Sequence, residues 1–211
     1  IVGSKLLAAL AVLTAMSRMI YAFASDNGLS VSNLLKSVSP SLRTPGPAIW
    51  IGGIHFFLLD TEVAGDDAGE QQEWLRSVLA TAVASPTDAA WRVVVFHRPP
   101  FTSGPHEPNV AMRPEAGWDY AGWGADLVVS GHQHVYEELK VGGLPYVVAG
   151  VGTGGLPRPC PAERVDGSVV CVEGTGALLV TATDRTLTLD YRKPDSATGT
   201  SLRTLEISRD S

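Results

Sequence analysis

The sequence predicts an α/β fold: a mixed sheet packed as a sandwich and flanked by helices. Three observations carry this. Short β-prone runs alternate with an amphipathic helical segment, and hairpins follow. Two inner runs, WRVVVF (91–96) and the LVV of DLVVS (126–130), are apolar almost throughout, as strands buried on both faces are. Gly and Pro, 22 and 14 of the 211 residues, punctuate the runs with turns.

Two regions follow from the pattern. Residues 1–48 hold an apolar run at 6–16, LLAALAVLTAM, and then a Ser-, Pro- and Gly-rich linker from 25. The run is shorter than the roughly 20 apolar residues a membrane span needs. Ala22-Phe23-Ala24 has the small-x-small form of a secretory cleavage site, which leans toward an extracytoplasmic protein. Arg18 between run and site, and the helical spacing of Leu6, Leu7, Leu10 and Leu13, favour a buried helix instead.

The second region, 49–211, carries the fold. Ala48–Ile51 and His55–Leu59 read as a hairpin turned at Gly52-Gly53. In 69–84, Trp74, Leu75, Val78, Leu79 and Ala82 share one face of a helix that Ser85-Pro86 ends. Trp91–Phe96 is a buried strand, and a Pro- and Gly-rich loop runs from Arg98 to Pro114. A short helix is expected around Glu115–Trp123, then a strand at Asp126–Ser130. Tyr136–Val141 and Pro145–Ala149 make a hairpin about Gly142-Gly143. Residues 150–174 read as one long loop, Gly176–Thr183 and Thr186–Tyr191 as a third hairpin, and Leu202–Ile207 as a last strand.

Sixteen Lys+Arg against 22 Asp+Glu give a formal charge of −6. That excludes a protein that coats nucleic acid through a basic surface. It leaves room for a small phosphorylated substrate, because a metal ion can supply positive charge locally. No serine-hydrolase elbow is present. Gly150–Gly155 satisfies G-x-G-x-x-G, but Pro157, Pro159 and Pro161 forbid the helix a dinucleotide site needs, so it reads as a tight loop. Cys160 and Cys171 can close a short loop as a disulfide in an oxidising compartment, or stay free elsewhere. Asp60 and Glu62, ending a strand, read as loop-binding carboxylates.

Chemistry concentrates at the histidines. His97 directly follows one inner strand, and Gly131-His132-Gln133-His134 directly follows the other. In open α/β sheets, function sits beyond the carboxyl ends of the strands. Neutral imidazole is a common metal ligand. In a regular strand His132 and His134 would face opposite ways, but a glycine that takes positive φ at 131 lets both rings turn into one cleft. His97, His132 and His134 are therefore the candidate metal ligands. Solvated turn histidines are the alternative.

VVVFHRPPFTSG (93–104) and SGHQHVYE (130–137) resemble the two C-terminal motifs of the calcineurin-like metallophosphoesterases, and most the purple acid phosphatase branch. HFFLLDTE (55–62), Gln72–Leu75 and LPYVVAGVGTGG (144–155) agree in order and spacing, so the likeness covers about Ile49 to Gly155. It implies a metallophosphoesterase-like αββα sandwich and a dinuclear site, iron paired with zinc, manganese or iron. His97 and His132 would share the second metal, and His134 would bind the first. His106 would be the catalytic proton donor to the leaving alkoxide, its alternative being a solvated loop residue. The implied reaction is phosphomonoester hydrolysis, acid-phosphatase-like, by in-line hydroxide attack at two metals.

The family's other ligands come from Asp-x-His or Asp-x-Gly, Gly-Asp-x-x-Asp (with a ligand tyrosine in the purple enzymes) and Gly-Asn-His blocks. In residues 1–50 the nearest match is Asp26-Asn27-Gly28, which does not fit, and the other blocks are absent. The expectation is thus a sandwich incomplete at its N-terminus: the C-terminal part of a longer enzyme, or a degenerate fold without catalysis. A phosphodiesterase or nucleotidase on the same site is the remaining alternative.

Overall fold

The computed structural model describes residues 49–51, 53–62, 66–84, 91–152, 158–195 and 199–209. The apolar run and the linker expected in 1–48 lie outside them, as do residues 153–155 of the glycine-rich loop. No described helix is long and apolar enough to cross a membrane.

β1 (Ile49–Ile51) and β2 (Ile54–Leu58) pair antiparallel as the first hairpin. α1 (Asp66–Ala84) follows, then β3 (Trp91–Phe96) and β4 (Leu127–Ser130). β5 (Tyr136–Val141) and β6 (Leu144–Ala149) form the second hairpin. β7 (Ser168–Val172) completes a seven-stranded sheet in the order β1-β2-β3-β4-β6-β5-β7. β8 (Ala177–Ala182), β9 (Thr186–Lys193) and β10 (Thr200–Ser208) make a second, three-stranded antiparallel sheet in the order β10-β9-β8.

The alternation of side chains assigns each face. Phe57, Val94, Phe96, Val128, Tyr146 and Val148 turn toward α1, where Leu75 and Leu79 are fully buried against them. Ile54, Trp91, Val93, Leu127, Tyr136 and Val147 turn the other way, onto Leu187, Leu189 and Tyr191 of β9. The large sheet is therefore apolar on both faces, which is why its inner strands read as continuous runs. The Trp91 indole donates to the Thr183 carbonyl (2.7 Å) and Tyr136 stacks on Tyr191 (4.6 Å, 3°), tying the two sheets together. The fold is a mixed-sheet α/β sandwich.

Two expectations are corrected. No helix spans Glu115–Trp123. A short 3₁₀ turn, Pro114–Ala116, opens the segment instead and ends at Gly117 with φ 94°, after another at Val110–Met112. The Asp119 carboxylate then accepts the Gly122 N–H (2.9 Å), and Gly124 turns at φ 96°, so local turn bonds outcompete helix. The segment 150–174 is not all loop either. Its SVVCV run pairs with β5 as β7, a signal hidden by the Pro- and Gly-rich residues before it.

β2, β3, β4 and β6 run parallel, so their carboxyl ends share one edge. Thr61, His97, Gly131 and Gly150 follow those ends in the chain, at the edge where sites form.

Candidate metal and active site

Each histidine loop is built by backbone bonds before any side chain matters. The Gly131 N–H donates to the His97 carbonyl (3.0 Å), which stitches the ends of β3 and β4 together. The Gln133 N–H then donates back to the Gly131 carbonyl (2.7 Å), closing a three-residue turn on His132. His132 itself has φ 65°, the one non-glycine positive φ among the described residues. The bond and the sign of φ mark the rarer, strained form of the γ-turn. The expectation that Gly131 supplies the positive φ is corrected: His132 does. Histidine tolerates that region better than most side chains, and strain held this way concentrates at functional sites.

The turn brings the predicted residues together. His132 Nδ1 lies 3.1 Å from His97 Nε2, with ring centroids 4.9 Å apart. The His106 ring stands 4.9 Å from His132 and 6.5 Å from His134. All four candidate histidines therefore belong to one continuous ring cluster. Partial burial, followed by His97, His106 and Arg98, holds His132 below its ordinary pKa of 6.5, while Glu62 pulls the other way. The neutral ring this favours is the form that binds metals.

The donor set can be tested against an ion. Two nitrogens on one zinc-like ion, each about 2.0–2.1 Å from it, stand about 3 Å apart when cis. The His97–His132 spacing fits that edge. Among the described residues, however, no group of three or more His, Cys, Asp or Glu has a complete metal-holding arrangement. The pair alone would supply two donors, short of a full shell.

Three residues around the cluster carried no functional signal in the sequence. Gln133, between the two histidines of the turn, is fully buried. Arg98 follows His97, its guanidinium 4.0 Å from Glu62 and its Nε buried without a hydrogen-bond partner among the described residues. Glu137 is fully buried on β5 and accepts from the Thr102 and Ser103 hydroxyls, the Ser103 N–H and the Ser168 hydroxyl. It thereby ties the His106 loop to the sheet. Only a buried carboxylate beside a Ser/Thr-rich loop could have signalled it. The Asp60 backbone pairs with the Gln71 amide on α1, and its carboxylate accepts the Glu62 N–H. Gly150 sits where a Cβ would run into the Gln133 carbonyl oxygen, so the glycine-rich loop opens with a close backbone approach.

Cys160 and Cys171 are disulfide-bonded. The loop they close reaches the His106 loop through the Val165 N–H, which donates to the Ser103 hydroxyl (3.0 Å); just ahead of it in the chain the Arg158 N–H donates to the His134 carbonyl (3.0 Å).

A mixed sheet that gathers imidazoles at the carboxyl ends of its parallel strands defines a class, layered α/β proteins whose site lies at that edge. Residues 25–136 match the family model described as calcineurin-like phosphoesterase, and the chain belongs to that family of metal-dependent phosphoesterases. Its kinship lies with the purple acid phosphatase branch. Purple acid phosphatase 15 of Arabidopsis thaliana is 34% identical over 132 residues, 58% of this chain and 24% of that protein. Purple acid phosphatase 18 of the same plant is 31% identical over 93 residues, 43% of this chain and 21% of that protein. The chain thus spans about a quarter of the length of these relatives. In fold it is similar to the purple acid phosphatase PPD1 of yellow lupin (Lupinus luteus): TM-score 0.65, 21% identity, 85% of this chain and 36% of that one. It is also similar to GAP50, the anchor in the inner membrane complex of Plasmodium: TM-score 0.59, 15% identity, 74% and 49% covered.

Proposed function

We propose that this chain carries the imidazole half of an acid-phosphatase-like centre that hydrolyses small phosphate monoesters. The observation behind the reading is the convergence of His97, His132, His134 and His106 at the carboxyl edge of one sheet. His97 through Nε2 and His132 through Nδ1 would hold one ion together, and His134 would hold its neighbour. Iron paired with zinc, manganese or iron suits imidazole-rich sites of this kind. When bound, two such ions supply an activated nucleophile and neutralise charge on the transferring oxygens. The protein's own work is positioning. The strained turn aims His132, and Glu137 pins the loop that presents His106. His106 gives a proton to the departing alkoxide. The Cys160–Cys171 bond supports an extracytoplasmic setting, where disulfides persist.

The test is direct. The chain is purified, its bound Fe, Zn and Mn are measured, and turnover of a chromogenic phosphomonoester is followed with and without added metal. Replacing His132 and His134 together with Ala should abolish both binding and turnover. Unchanged turnover in that double variant ends the reading. A second reading keeps the scaffold without catalysis, since a fold does not fix a function and the Plasmodium protein of similar fold is described as an anchor. One weak metal equivalent and no turnover supports it; two tight equivalents contradict it. A panel including phosphodiesters and nucleotides separates the phosphodiesterase or nucleotidase alternative.

A further inference from the structure

The proposed proton donor, His106, lies in a loop and is itself exposed. A proton donor must be held within hydrogen-bond reach of its target. What holds its backbone is one side chain. The Gln133 amide donates from Nε2 to the His106 carbonyl (2.6 Å) and accepts the His106 N–H at Oε1 (3.1 Å). Both polar ends of one amide are thus spent on both backbone groups of one residue. Gln133 is 0% exposed, so its end of each bond is shielded from water.

The neighbours have made room for this side chain. A Cβ on Gly104 would run into the Gln133 carboxamide, and a Cβ on Gly150 into its backbone oxygen. A glutamate here would set an oxygen, in place of the donating nitrogen, against the His106 carbonyl. An apolar residue would remove both of the bonds that Gln133 makes to the His106 backbone. Gln133 also sits inside the strained turn, directly after His132 and before His134. One residue therefore joins the candidate metal ligands to the candidate proton donor.

We infer that Gln133 is the positioning residue for His106, and that through it Gln133 sets the site's competence toward esters of poor leaving groups. The inference rests on the reading of His106 as proton donor. An alkyl alcohol needs a proton to depart, whereas a nitrophenolate leaves readily without one. General-acid catalysis contributes roughly 10²–10⁴-fold where it is needed.

The experiment uses the full chain and two variants, Gln133→Met and the isosteric Gln133→Glu, with an alkyl phosphate and a nitrophenyl phosphate as substrates. On the alkyl ester, kcat should fall at least about tenfold in either variant. On the nitrophenyl ester it should stay within about threefold, with metal content retained. In a His106→Ala background, Gln133→Met should add no further loss, because two residues acting through one group are not additive. A second readout needs no turnover: amide hydrogen exchange at His106 should accelerate in both variants while amides of β3 and β4 stay protected. An unchanged His106 exchange rate, or equal losses on both esters, overturns the inference. A wild-type chain that binds two metals and hydrolyses neither ester overturns the functional reading and the leaving-group role with it, while the exchange data still decide whether Gln133 holds the loop. Should Gln133→Met fail to fold, Gln133→Glu keeps the shape and carries the comparison.

Discussion

Arg203 of β10 meets Glu138 of β5 with two parallel hydrogen bonds, from Nε and Nη2, of 2.8 Å each. The pair crosses from the small sheet to the large one. Its two halves are unequal, for the Glu138 side chain is 4% exposed and that of Arg203 37%. The Tyr136 hydroxyl adds a third donor to the same carboxylate (2.8 Å).

That inequality predicts asymmetric mutants. Arg203→Ala strands a buried carboxylate and should cost about 2–4 kcal/mol, below the usual figure for a fully buried pair because Arg203 is partly solvated. Replacing both partners, Glu138→Leu with Arg203→Met, should recover most of that loss. Urea titrations of the single and double variants measure it, and a double variant no better than Arg203→Ala would contradict the account.

Glu137 takes four bonds in a buried setting, from Thr102, Ser103 and Ser168. Glu137→Ala leaves those donors unpaired and should destabilise by roughly 3 kcal/mol or more. Because two of its partners belong to the His106 loop, proteolysis should begin between residues 98 and 114. Cleavage elsewhere first would mean the carboxylate does not govern that loop.

The disulfide closes a short loop, its cysteines 11 positions apart. A bond of this span contributes about 3 kcal/mol by limiting the unfolded chain. Mild reductant, or Cys160→Ser with Cys171→Ser, should lower Tm by several degrees while leaving sheet content unchanged by circular dichroism. The loop also bonds the Ser103 hydroxyl through the Val165 N–H, beside the segment that presents His106, so proposed phosphatase turnover should drop with it.

Alkaline pH acts through the tyrosines. Burial raises the phenols of Tyr120, Tyr136, Tyr146 and Tyr191 above the ordinary 10.0, with Tyr191 pushed up to about 12. The folded state therefore holds protons the unfolded state releases. Their contribution is complete below pH 10 and drains away as pH rises through the folded values. Above about pH 10, unfolding followed by circular dichroism should coincide with the rise in tyrosinate absorbance. Full ionisation near pH 10 with the fold intact would refute this.

Much of this was legible in one dimension. Continuous apolar runs at 91–96 and 127–129 mark strands covered on both faces, and the spacing of Leu75 and Leu79 marks the buried side of α1. His97 and the His132–His134 pair stand at strand ends in the sequence and near one another in space. The helix expected at 115–123 failed because Gly117, Gly122 and Gly124 serve turns there, and β7 escaped notice among prolines and glycines.

Sequence alone determined where α1 and most of the strands run, which faces they bury, and which imidazoles follow the inner strands, because periodicity encodes burial residue by residue. Tertiary structure alone decided that His132 would bear the positive φ, that Gln133 would clasp His106, and that Glu137 and Glu138 would be buried and paired. Those partners lie 27 to 65 positions apart, and such contacts depend on which strands become neighbours, a choice that no local spacing records.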